Sequence, residues 1–111
     1  MGPLGIFSSG RNARLLADLS VEVAVRSQDT VWTLVSEQAP SLPPGEARGY
    51  TRARARQTLE RHAKLVLRGY PEASQRLREQ VLVSALDQVV SMVMRKLLNL
   101  PVQAGFKRRA A

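Results

Sequence analysis

Apolar residues recur at the helix period through the second half of the chain. Between residues 46 and 68 they are spaced three and four apart, as at Ala55, Leu59 and Val66, and this spacing predicts a helix. The same period continues through residues 71–100 with a larger number of apolar positions. It predicts a second helix that is longer and more apolar than the first.

Glycine and proline mark the expected ends of these helices. Gly69 stands where a helix commonly ends, and Pro71 suits the first position of the next helix. Two helices joined that closely form an antiparallel hairpin. Residues 39–45 hold three prolines and a glycine, which neither a helix interior nor a central strand accepts, so this segment is expected to be a linker.

The predicted second helix is apolar around an unusually large part of its circumference. At about 100° per residue its apolar positions cover an arc of roughly 220°, whereas packing on one face requires little more than about 100°. The helix should therefore be covered from at least two sides. We expect an uncovered edge to form a homo-oligomer interface, and its residues are Val83, Val90, Met94 and Leu97.

The N-terminal third supports two interpretations. Across residues 19–26 apolar and polar residues alternate, which is typical of a strand. As a helix, the same region places Leu16, Leu19 and Val23 along one stripe. We favour the helix because a single strand would have no partner within the chain, although a dimer could supply one.

These elements predict one mainly α-helical domain over residues 1–111, since a chain of 111 residues has the length of a single domain. The domain consists of an N-terminal helical element followed by the helical hairpin. We expect residues 1–10 and 102–111 to be flexible.

The positive charge is large and local. The chain has a net charge of +8 and an isoelectric point near 11.3, a balance typical of nucleic-acid-binding domains and shared by proteins that bind membrane surfaces. Residues 46–68 carry seven basic and two acidic residues, and residues 102–111 add three basic residues. The charge is therefore concentrated in one predicted helix and in the C-terminal segment.

Four of the cations in that helix fall on one face. At helical spacing they lie within about 80° of one another, opposite the apolar arc, and the four are Arg54, Arg61, Lys64 and Arg68. Like charges so arranged add little to folding but suit a phosphate backbone. The alternative is an ordinary solvated helix face. Only Tyr50 accompanies the cations, so phosphate contacts are better supported than base stacking.

The composition excludes several kinds of metal and catalytic site. The chain has no cysteine and a single histidine, His62, so it cannot form the usual zinc sites, and we expect no metal and no cofactor. His62 is expected to be a partly buried packing residue, and Trp32 an anchor of the core or of an interface. No catalytic motif is present, so we expect no enzyme activity.

The leading hypothesis is therefore a non-enzymatic basic module that contacts nucleic-acid phosphates, with DNA and RNA both open. The alternative is a structural or adaptor subunit that assembles with itself or with a protein partner through its apolar C-terminal helix. Binding to a membrane surface is less favoured because no aromatic anchors accompany the charges. A transmembrane span is not expected, because charged residues interrupt the most apolar stretch, residues 81–98. We expect a cytoplasmic protein.

Overall fold

The computed structural model describes the backbone of residues 2–100 and the side chains of residues 13–100. It contains three helices, α1 (Gly2–Val35), α2 (Pro44–Leu67) and α3 (Gln75–Leu98), and a 3-10 turn at Ala39–Ser41. Across residues 2–100 there is no strand. The prediction of an all-α fold is confirmed.

Residues 19–26 belong to α1, so the helix interpretation is confirmed and the strand alternative is wrong. Leu19 and Val23, four residues apart, are buried, whereas Val21 and Val25 between and after them are about half exposed. Burial thus follows the helix period. The strict alternation of residue types misled because Val21 and Val25 are apolar residues on the outer surface of the helix.

The three helices run up, down and up. The connections, residues 36–43 and 68–74, are too short to span a helix length, so α2 is antiparallel to both neighbours. Consistent with this, Lys96 near the end of α3 lies over the ring of Trp32 near the end of α1. All three helix pairs are in contact, which makes a three-helix bundle in which α2 and α3 form the predicted hairpin.

The helix ends differ from the predicted ones by a few residues. α2 begins at Pro44, inside the predicted linker 39–45, because proline is well suited to the first turn. α3 begins at Gln75, four residues after Pro71, because the hydroxyl of Ser74 accepts a hydrogen bond from the N–H of Leu77 at 3.1 Å and caps the helix.

The core extends around most of α3. Seven α3 residues are buried, and they are Leu77, Val81, Ala85, Leu86, Val89, Val90 and Val93. Both α1 and α2 pack against α3, so the wide apolar arc is covered largely within one chain. Among the four residues of the predicted oligomer interface, Val90 is 0% exposed inside its own bundle, and Met94 and Leu97 are half-buried against the same core. Only Val83 of that set is well exposed, at 50%.

Four polar side chains are buried in the bundle. In α1, the hydroxyls of Ser20 and Ser27 donate to the carbonyls of Leu16 and Val23 one turn earlier, at 2.6 and 2.8 Å, and so remain satisfied inside the core. In α2 the hydroxyl of Thr51 has no partner.

The predicted C-terminal flexible segment, residues 102–111, lies outside the described residues. Residues 2–10 form the first turns of α1. Their flexibility stays a prediction. Within the part of the chain that the structure describes, no helix combines the length and the apolar composition needed to cross a membrane.

Candidate nucleic-acid interface

The four predicted cations lie on the outer face of α2. We call Arg54, Arg61, Lys64 and Arg68 the basic stripe, and all four are exposed. The opposite face of the helix is buried in the bundle, so the stripe points away from the core. From Arg54 to Arg68 the stripe extends about 21 Å along the helix axis, at about 1.5 Å per residue.

The stripe carries charge that the folded chain does not neutralise. Among residues 13–100, no carboxylate forms an ion pair with any of its four cations. The two arginines beside the stripe behave differently. Arg52 pairs with Asp87 of α3 at 2.7 Å, and Arg56 pairs with Glu60 on its own helix at 3.5 Å. The two classes of cation are therefore distinguished by their partners as well as by their position.

An aromatic ring supports one end of the stripe. The guanidinium of Arg54 lies 5.9 Å from the centre of the Tyr50 ring, within the range of a cation–π contact. Tyr50 is itself half-buried against the core. The contact restricts Arg54 without removing its charge, so this cation remains free to meet an anion.

A shallow groove runs beside the stripe between α2 and α3. Its volume is about 390 Å³, and its lining includes Lys64 together with Glu60 and Glu79. Arg78 also lines it, but its guanidinium donates to the carbonyls of Ala73 and Tyr70 at 3.2 and 3.3 Å. These two hydrogen bonds hold the connection that precedes α3. Because acidic and basic side chains line the groove in similar number, it is a poor site for an anion. The exposed cations of the stripe are therefore the better candidate for binding an anion.

The structure also reveals a polar contact that sequence reasoning missed. His62 is partly buried, as expected, and its Nδ1 lies 2.8 Å from the hydroxyl oxygen of Ser27 in α1. Because the Ser27 hydroxyl donates its one proton to the carbonyl of Val23, we assign Nδ1 as the donor to Ser27. The contact joins α1 to α2. Its two partners are 35 positions apart in the chain, so no local spacing in the sequence indicates the contact.

The environment of His62 disfavours its charged form. Burial lowers the pKa of His62 below the ordinary value of 6.5, and the positive charges of Arg61 and Arg26 lower it further. His62 is therefore mainly neutral at pH 7 and adds no charge to the stripe. Its hydrogen bond with Ser27 joins α1 to α2.

Within residues 13–100, no three side chains of the types that bind metal ions lie close enough to hold one. Comparison of the chain with protein-family models, with curated proteins and with solved structures found no match.

Proposed function

We propose that this chain is a non-enzymatic binding module that contacts nucleic acid through the phosphates, with the basic stripe of α2 as its contact surface. One observation carries the proposal: four exposed cations share one face and have no carboxylate partner among the described residues, while the neighbouring Arg52 and Arg56 do.

The dimensions of the stripe suit a phosphate backbone. Phosphates follow one another about every 3.4 Å along the axis of each strand of a duplex, so the roughly 21 Å of the stripe faces several of them. Three of the four cations are arginines, and the planar guanidinium binds two phosphate oxygens at once. Such contacts position a protein without reading the bases.

The test is the salt dependence of binding to a short fluorescent DNA duplex, followed by anisotropy. If each stripe cation neutralises one phosphate, log K against log salt has a slope of about −3.6, and affinity falls roughly 100-fold between 50 and 200 mM salt. Two duplexes of unrelated sequence should bind equally well, since phosphate contacts carry no sequence information.

A pair of double variants separates the stripe from net charge. Arg61→Gln with Lys64→Gln removes two stripe cations, and Arg52→Gln with Arg56→Gln removes two cations of the same helix that are already paired. Both reduce the net charge of +8 by two. We expect the first to lower the slope to about −1.8 and the second to leave it nearly unchanged. Equal losses in both would show that overall charge, and not the stripe, drives binding.

The adaptor alternative receives less support from the fold. It required an uncovered apolar edge on α3, and Val90 at the centre of that edge is fully buried within its own bundle.

A further inference from the structure

A second groove opens between α1 and α3, on the side of the bundle that α2 does not cover. Its volume is about 370 Å³. Ala24, Val25 and Gln28 line it from α1, and Met92 and Arg95 are among the residues that line it from α3. Val25 is 57% exposed although it is apolar.

The apolar surface continues along α1 on both sides of Val25. Val21, Val25, Gln28 and Trp32 are spaced four, three and four residues apart, so they lie on one face of the helix. Val21 is 50% exposed, and Trp32 is half-buried with Lys96 over its ring at 5.0 Å. Three apolar side chains at helix-packing spacing, interrupted by Gln28, are typical of a surface that another helix covers.

The two ends of this strip carry opposite charges, so the surface is complementary to a second copy of itself turned in the opposite direction. Asp18 lies seven residues before Val25 and Trp32 lies seven residues after it, about 10 Å in each direction. Asp18 is exposed and lies at the Val21 end of the strip, whereas Lys96 and Arg95 lie toward the Trp32 end. Of the other acids near the strip, Glu22 is paired with Arg26 at 3.2 Å, and Asp87, which lines the groove from α3, is paired with Arg52 at 2.7 Å.

We infer that this face binds a second copy of the same chain through a two-fold axis near Val25. In such an arrangement each surface meets its own copy in the opposite direction. Asp18 of one protomer then faces Arg95 and Lys96 of its partner, and the apolar strips cover each other. A second copy of the chain would both cover the apolar residues and pair with the charges at the two ends of the strip.

The dimer leaves the basic stripe accessible. The stripe lies on the outer face of α2, and none of its four residues lines the groove between α1 and α3. The two surfaces can therefore be tested separately, because association of the protein alone requires no nucleic acid. Failure of one proposal does not imply failure of the other.

The first test uses valines of matched exposure. Val25→Asp places a carboxylate at the centre of the inferred interface, and Val83→Asp places one at an equally exposed site elsewhere on the bundle, since the wild-type residues are 57% and 50% exposed. Sedimentation equilibrium of the wild type should give about twice the 12.3 kDa chain mass. Val25→Asp should raise the dimer dissociation constant at least about 30-fold with unchanged helicity, and Val83→Asp should not.

Cysteine cross-linking locates the axis. The chain has no cysteine, so Val25→Cys introduces a single thiol that meets its own copy across the axis, and mild oxidation should give a disulfide-linked dimer. Val83→Cys should remain mostly uncross-linked under the same conditions. A charge exchange checks the orientation: Asp18→Arg or Arg95→Asp alone should weaken the dimer, and the two together should restore it.

A wild type that remains a monomer at 100 µM would overturn the inference. So would a dimer that Val25→Asp leaves intact, or one that Val83→Asp disrupts equally.

Discussion

Thr51 is the residue whose chemistry fits its surroundings least. It is fully buried in α2, and its hydroxyl has no hydrogen-bond partner. A buried polar group left unsatisfied costs roughly 1–3 kcal/mol. Thr51→Val keeps the shape and replaces the hydroxyl with a methyl group, so we expect the free energy of unfolding to rise by about 1 kcal/mol. Urea unfolding should show a higher midpoint with an unchanged slope.

The contrasting change is Ser27→Ala, which removes a hydroxyl that bonds both Val23 and His62. It should lower stability by about 1 kcal/mol. A loss of stability in Thr51→Val would mean that the Thr51 hydroxyl finds a partner in solution.

His62 should make folding sensitive to acid. Its pKa is lower in the folded protein than the ordinary value of 6.5, first through burial and then through Arg61 and Arg26. Below that ordinary value the unfolded chain takes up the proton more readily than the folded one. Stability is therefore full above about pH 6.5, declines as the pH falls through this value, and levels off below the folded pKa.

Urea unfolding between pH 7.5 and 5 should reveal this decline. His62 is the only histidine, so His62→Gln should flatten the profile across the window. A variant with the same decline as the wild type would assign the acid sensitivity to other groups.

At the scale of elements, the start of α3 depends on one side chain. The hydroxyl of Ser74 accepts the Leu77 N–H at 3.1 Å, and Ser74 itself is exposed. Ser74→Ala should lower the free energy of unfolding by about 1 kcal/mol, because a free N–H at the helix start loses its acceptor. Ser74→Asp should retain wild-type stability, because a carboxylate also caps the helix and favours its N-terminus.

Thermal unfolding of both variants makes the comparison. Equal losses in Ser74→Ala and Ser74→Asp would indicate that the connection tolerates no change at this position for reasons unrelated to capping.

The helices themselves were predictable from local spacing, and their ends less so. The period of apolar residues located α2 and α3 because that signal is repeated over many turns. Pro71 was expected to begin α3, but the choice between Pro71 and Ser74 depends on hydrogen bonds made in the connection. Arg78 contributes to these by bonding the carbonyls of Ala73 and Tyr70, a contact that spacing does not predict.

In the molecule as a whole, the two proposed surfaces lie on different sides of one bundle. The basic stripe faces outward from α2, and the inferred dimer surface around Val25 lies at the groove between α1 and α3. A dimer formed through the latter would present two stripes. The proposed phosphate contacts and the inferred self-association are therefore compatible in a single protein.

The sequence alone determined the helical character of the chain and which cations share a face of α2, because both follow from the geometry of a single helix. Only the tertiary structure decided which apolar residues are covered. Val90 was expected in an interface with another chain but is buried by its own neighbours. The contact of Ser27 with His62 and the ion pair of Arg52 with Asp87 join residues 35 positions apart in each case. Such contacts depend on how helices pack across a shared core, and no local spacing encodes that.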